Sequence, residues 1–299
     1  MKILFDNADF SSSSGPNSFA RRLAEELYKR GHAINESLNS DIQLSFIMAT
    51  QSTGTPIIQR LDGIYFNSDQ EWKILNEPIK KTYDLCSGVI FQSEFNKILS
   101  EKYFGKKSKT KVINNGTDLD LISSISPISH PEIDKFDNVW SCASSWRPHK
   151  RLKENVRYFL EHSGEKDCLV VAGSNPDHVI KHDRIFYAGN LDWDVLVSLY
   201  KRSKYFIHLA LMDHCPNVVV DARASGCKIV CSSSGGTKEI AGQNSVIVQD
   251  MQWDFEPFKL YEPPELDFSI HHPAPDKVKS IDIKDVADDY IKFFEDFLT

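Results

Sequence analysis

The sequence predicts an α/β fold of two Rossmann-like parallel-sheet domains facing across a cleft, and three observations predict it. Short apolar runs alternate with amphipathic helical stretches, the pattern of parallel strands joined by helical crossovers. The alternation breaks in a turn-rich segment, SSISPISHP at 123–131, and restarts with a fresh apolar strand at 139–143. The 299 residues also suffice for two domains of about 150 residues each. The boundaries expected are 1–136 for the first domain and 137–282 for the second. A closing helix at 283–299 packs either on the first domain or on its own core.

The first series begins with a short strand, Lys2 to Phe5. After the turn-forming run Ser11 to Gly15 comes a helix with Phe19, Leu23 and Leu27 on one face, stopped by Gly31. Further strands are expected at 42–48, 57–61, 89–91 and 111–113. A helix carrying Trp72, Leu75, Ile79 and Tyr83 at helical spacing lies between the middle two. In the second series the strands are 139–143, 169–172, 185–187, 205–209, 228–231 and 246–248. Helices at 152–162, 193–201 and 216–225 fit between them. The rhythm is lost after Asp250 in an aromatic and proline-rich stretch, 253–264. The last helix, 283–298, shows an apolar stripe of Val286, Tyr290, Ile291, Phe294 and Phe297 that must be covered.

Composition narrows the function classes. A hydrophobic share of 41% with 26% charged residues is the balance of a globular chain. The net charge of −7 offers no general attraction to phosphate backbones, so nucleic acid is not an expected partner. No run approaches the roughly 18–20 apolar residues of a membrane span. The start, MKILFDNADF, is too short in apolar residues for a secretory signal. The expectation is a cytoplasmic protein with at most peripheral membrane contact. Cys86, Cys142, Cys168, Cys215, Cys227 and Cys231 form no C-x-x-C pair and fall mostly in apolar runs, as reduced cysteines do. No metal site is expected.

Open parallel sheets bind ligands beyond the carboxyl ends of their strands, which says where to look for chemistry. G-x-G-x-x-G is absent, since Gly15 stands alone after the first strand, and so is G-x-x-x-x-G-K-[ST]. In the second domain, a loop from Met212 to Asn217 follows the strand 205–209, and Pro216 suits the first turn of the next helix. Asp213 before that helix and Asp221 on it can bridge two hydroxyl-bearing parts of one ligand. The helix's own N-terminal amides would favour phosphates between them. With 42 acidic residues in the chain, the spacing alone carries nothing.

Context gives it weight. The stretch from His208 through Asp213, Asp221, Gly226, Gly235, Gly236 and Glu239 to Ile240 resembles the donor-site signature of family 4 glycosyltransferases: E-x(7)-E, A-x-A-x-G, a strand, then G-G-x-x-E. Both glutamates of the acid pair are aspartate here, one methylene shorter. A second stretch, Ser144-Ser145-Trp146-Arg147-Pro148-His149-Lys150-Arg151, resembles the family's G-R-L-x-P-x-K-G phosphate loop, with Lys150 on the lysine and Ser145 where the arginine stands. Ser11 to Gly15 resembles the family's glycine-rich loop. Arg60-Leu61-Asp62-Gly63 resembles a cleft segment in which many relatives carry histidine at the position of Asp62. Asn115-Gly116-Thr117-Asp118 resembles a turn before the linker, and a structural role is the simpler one for it.

The resemblance covers most of residues 1–250 and implies the GT-B fold. It also implies metal-independent transfer, with retained anomeric configuration, from a nucleotide-diphosphate sugar, UDP- or GDP-linked, without another cofactor. The acceptor it leaves open as a glycan, a lipid-linked group or a protein. On this basis Asp213, Lys150 and Asp62 are the candidate catalytic residues. Gly15, Arg147, Asp221, Cys215, Pro216, Asn217, Gly235, Gly236 and Glu239 are the candidate substrate contacts. A sugar-nucleotide epimerase or donor hydrolase of the same fold, or a binding module without turnover, are the alternatives.

Overall fold

The computed structural model describes residues 1–12, 14–35, 39–176 and 179–298. In chain order the first part comprises β1 (Lys2–Asp6), α1 (Gly15–Lys29), β2 (Ala33–Ile34), β3 (Ile42–Phe46), β4 (Ile57–Leu61), α2 (Trp72–Leu85), β5 (Gly88–Phe91), α3 (Glu94–Phe104), β6 (Thr110–Val112) and α4 (Leu119–Ser124). Its strands pair in parallel in the order β2-β1-β3-β4-β5-β6.

The second part begins with β7 (Asn138–Ala143) and a 3₁₀ turn at Pro148–Lys150. Then follow α5 (Leu152–His162), β8 (Asp167–Ala172), β9 (Ile185–Gly189), α6 (Trp193–Arg202), β10 (Ser203–His208), α7 (Asn217–Ala224), β11 (Lys228–Ser232), α8 (Thr237–Ile240), β12 (Val246–Val248) and β13 (His271–His272). Its sheet runs β9-β8-β7-β10-β11-β12-β13, parallel except for the antiparallel pair β12–β13. The final helix is α9 (Ile283–Glu295).

These two orders determine where a ligand can sit. In the second sheet the winding reverses between β7 and β10, and in the first between β1 and β3. Chains leave such a switch point in opposite directions and open a crevice at the strands' carboxyl ends. Backbone strain collects at the same places: Asn7 and Ile47 just beyond β1 and β3, and Arg151 and Met212 beyond β7 and β10, all take φ between 54° and 67°. A β-branched residue there, as at Ile47, is held only by its surroundings.

Helix α9 covers the first sheet. Ile283, Val286, Ala287, Tyr290, Phe293 and Phe294 share one core with Phe5, Phe19, Leu23, Leu27 and Phe46. Gly88 and Gly116 make this fit. A Cβ on Gly88 would come within 2.5 Å of the Phe297 ring, and one on Gly116 within 2.9 Å of Val286 Cγ2. The N-G-x-D turn is thus a docking surface for the terminal helix, tied by Thr117 N to Ile281 O at 2.8 Å and Ile283 N to Thr117 O at 2.9 Å.

Some elements differ from expectation. β3 ends at Phe46 rather than residue 48, because Ile47 turns into the left-handed region. β10 starts earlier, at Ser203, and Pro216 caps α7 instead of opening its first turn. α4 takes the first two residues of the expected linker. Helix α3 and the edge strands β2 and β13 went unanticipated. The aromatic stretch after Asp250 returns to the first part of the chain: Trp253, Phe255 and Phe258 pack with Phe66 and Phe95, and Tyr103 OH donates to Phe255 O at 2.8 Å. Its start is anchored in the second part by Arg151, which is buried against Asp250 at 2.7 Å.

Candidate functional site

The two switch points face each other across a cleft of about 1200 Å³. Asp213, Lys150, Asp62, Gly15, Arg147, Asp221, Cys215, Pro216 and Asn217 all line it. Residues far apart in sequence therefore meet because β1, β4, β7 and β10 each end there. Helix α7 has no side-chain cap, so its first amides are left toward the cleft beside Pro216 and Asn217. Helix α1 likewise begins at the cleft, with Gly15 O accepting from Asn217 Nδ2 at 2.8 Å.

On the β7–β10 side, the 3₁₀ turn presents Lys150 to Asp213, with Nζ 2.5 Å from Oδ2. The same oxygen accepts from His208 Nε2 at 2.9 Å, and Oδ1 accepts from His214 N at 3.0 Å. Burial pushes the Asp213 carboxyl up, but Lys150 and His208 outweigh it and hold it well below the usual carboxylate range. Burial also depresses His208. Asp213 is therefore a fixed anion at the cleft wall. Arg147 is exposed on the same loop and has no carboxylate partner among the described residues.

Asp221 lies one helical stretch further on and is engaged from both sides. Arg22 of α1 donates Nη1 to Oδ1 at 2.9 Å and Nη2 to Oδ2 at 2.7 Å, and Trp193 Nε1 donates to Oδ2 at 2.9 Å. Neither Arg22 nor Trp193 stands out in the sequence. Arg22 is one of 35 basic residues, on the polar flank of an amphipathic helix, and Trp193 reads as a helix start.

On the facing wall, Asp62 is held by Arg60, which is fully buried. Arg60 also donates Nε to Tyr290 OH at 3.0 Å and Nη2 to Asn115 Oδ1 at 2.5 Å, and it lies 4.2 Å over the Phe19 ring. Asp62 Oδ2 is buried without a partner among the described residues, on a side chain that lines the cleft. Asn115 passes the connection across the cleft floor, its Nδ2 donating to Cys215 O at 2.9 Å and Asn217 Oδ1 at 2.8 Å.

Three expected contacts lie elsewhere. Gly235 and Gly236 stand behind the Asp213 loop. Gly236 N donates to Asp213 O at 2.8 Å, and a Cβ on either glycine would collide with the backbone of residues 212–214. Their role here is close approach, which only glycine permits. Glu239 turns away from the cleft and accepts from Glu94 N at 2.8 Å and Phe95 N at 3.0 Å, capping α3 of the first part. Burial pushes its carboxyl up. His214 also borders the cleft, with its ring against Gly63 and Phe95. Its Nδ1 is 3.3 Å from the Asn96 amide, and burial depresses it to about 4.

Residues 139–255 match the family described as glycosyl transferases group 1. No curated protein matches the chain by sequence. Among solved structures, sucrose-phosphate synthase from Thermosynechococcus elongatus is similar at a TM-score of 0.65 and 13% identity, over 83% of this chain and 86% of that one. HepE of Anabaena in complex with UDP-glucose gives 0.63 and 15% over 100% and 92%. AviGT4, a glycosyltransferase involved in avilamycin A biosynthesis, gives 0.62 and 13% over 100% and 98%. At these identities the likeness speaks for the fold. With two parallel sheets whose switch points share one cleft, the chain has the GT-B fold of these structures, and its residues 139–255 are similar to the glycosyl transferases group 1.

Proposed function

We propose that the protein transfers a sugar from a nucleoside-diphosphate sugar to an acceptor hydroxyl, with the anomeric configuration retained and without a metal ion. The observation that carries this reading is the meeting of Lys150, Asp213, Asp221 and the uncapped start of α7 in one cleft. Departure of a nucleoside diphosphate builds negative charge on the leaving oxygen. Lys150, held by Asp213, the α7 amides and the exposed Arg147 are positive groups able to stabilise it. Asp221 is suited to the ribose hydroxyls and Asp213 to a hydroxyl of the transferred sugar, since each places carboxylate acceptor oxygens at the cleft wall.

Asp62 faces them with one carboxylate oxygen held by Arg60 and the other without a partner among the described residues, which suits a contact to the reacting sugar or the acceptor. Front-face attack, with the leaving phosphate receiving the acceptor's proton, needs no further base. The HepE complex with UDP-glucose supports a UDP-linked donor first and a GDP-linked one second. Six buried cysteines, all unpaired, support a cytoplasmic setting, and no helix among the described residues is long and apolar enough to cross a membrane.

The test is product analysis. The protein is incubated with UDP- and GDP-sugars and simple glycoside acceptors, with and without EDTA, and the products are read by proton NMR. An α-linked product from an α-linked donor, formed equally in EDTA, is expected. Free nucleoside diphosphate without a new glycoside would overturn transfer, a β-linkage would overturn retention, and loss in EDTA would overturn metal independence.

A further inference from the structure

Asp221 is the carboxylate that the reading above gives to the donor ribose, and the structure shows what a ribose must compete with. Its two oxygens together offer about four lone-pair sites. Arg22 takes one on each oxygen, and Trp193 takes a second on Oδ2. One site remains, whereas two ribose hydroxyls need two. The Arg22 fork is also not a loose surface contact. Its side chain is 13% exposed and that of Asp221 4%, the guanidinium lies 5.4 Å from the centre of the Trp193 ring, and the two partners are 199 residues apart on opposite walls of the cleft. A bidentate pair in such surroundings is stronger than an exposed one.

We propose that Arg22 is a donor-site residue supplied by the first domain, a guard on Asp221 that an entering ribose displaces. The proposal rests on the nucleotide-sugar reading of the cleft. Before a nucleotide enters, the pair satisfies a buried carboxylate and joins α1 to α7. When a ribose binds Asp221, at least one Arg22 bond is given up, so nucleotide binding works against the contact between the two walls. By linkage the contact weakens nucleotide binding by the same factor. Arg22 thereby determines donor affinity, although it lies outside both sequence stretches that resemble the donor signature.

Calorimetric titration with UDP, GDP and TDP identifies the nucleotide that binds the unmodified protein, and that nucleotide is then titrated into R22Q, R22K and D221N. R22Q is expected to bind roughly fivefold tighter or more, the lower range of ordinary coupling between sites. R22K keeps the charge but loses the fork and should fall between R22Q and the unmodified chain. If R22Q fails to fold on thermal melting, R22K alone decides. D221N should bind more weakly than all of them. Arginine variants that bind with equal or lower affinity than the unmodified protein overturn the guard while a weakened D221N leaves the ribose reading standing. No binding of any nucleotide overturns both.

Discussion

Lys150 and Asp213 hold each other across 2.5 Å on the β7–β10 side of the cleft, so each fixes the other where charge is to be managed. If Lys150 stabilises the departing diphosphate, Lys150→Ala lowers kcat by about 10²-fold or more, the usual cost of removing one preorganised group at developing charge. Asp221→Ala chiefly raises the donor KM. Unchanged kinetics in both would remove the assigned site. The neighbouring histidines make a separate prediction about stability. Burial depresses His149 to about 3 and His214 to about 4, against 6.5 for a free imidazole. Both stay neutral in the folded chain and take up protons on unfolding, so they cost stability as pH falls below about 6.5. The slope reaches about 2.7 kcal/mol per pH unit for two protons. The urea midpoint should therefore fall steadily between pH 7 and 5, and a flat profile would contradict the buried neutral state. At this scale the cleft residues of the second part were legible because they sit in short contiguous motifs. Arg22, Trp193 and the Arg60–Tyr290 support were not, because each acts through a partner that only the fold brings near.

Helix α3 is capped from both parts of the chain. Its N-cap Ser93 accepts from Asn96 N at 3.1 Å, and Glu239 of α8 adds a carboxylate over the amides of Glu94 and Phe95. The G-G-x-x-E stretch is then a joint between the two parts of the chain: its glycines admit the Asp213 loop, and its acid caps a helix across the interface. Glu239→Ala should lower stability by about 0.5–2 kcal/mol, the usual cost of removing a side chain that caps a helix start, with nucleotide affinity unchanged. A large loss of affinity at unchanged melting temperature would return Glu239 to the donor. Most strands and helices were legible from periodicity, with ends shifted where Ile47 turns left-handed or Pro216 caps. Helix α3 escaped because its buried positions, Asn96, Leu99 and Ser100, are largely polar and leave no apolar stripe.

At the scale of the whole molecule, the chain crosses between its two halves repeatedly, and those crossings brace the cleft. The stretch from Trp253 to Phe258 packs aromatic rings on Phe66 and Phe95, and α9 returns to complete the first core. Burying six side chains of α9, two of them phenylalanines and one a tyrosine, contributes on the order of 10 kcal/mol, comparable to the entire stability of a domain. Truncation after Asp282 should therefore give an insoluble or unfolded first domain, seen as lost near-ultraviolet ellipticity. A soluble, cooperative truncated protein would contradict the shared core. The apolar stripe of 283–298 was visible in the sequence, but what it covers was not. The same helix reaches the site, since Tyr290 holds Arg60 and Arg60 holds Asp62.

The central claim, that the cleft takes a nucleoside diphosphate held by Lys150 without a metal, is tested most directly by calorimetric titration of UDP and GDP in the presence of EDTA. Binding of at least one to the unmodified protein, weakened at least tenfold in Lys150→Ala, is the predicted result. No binding of either, or equal binding to both proteins, would contradict it.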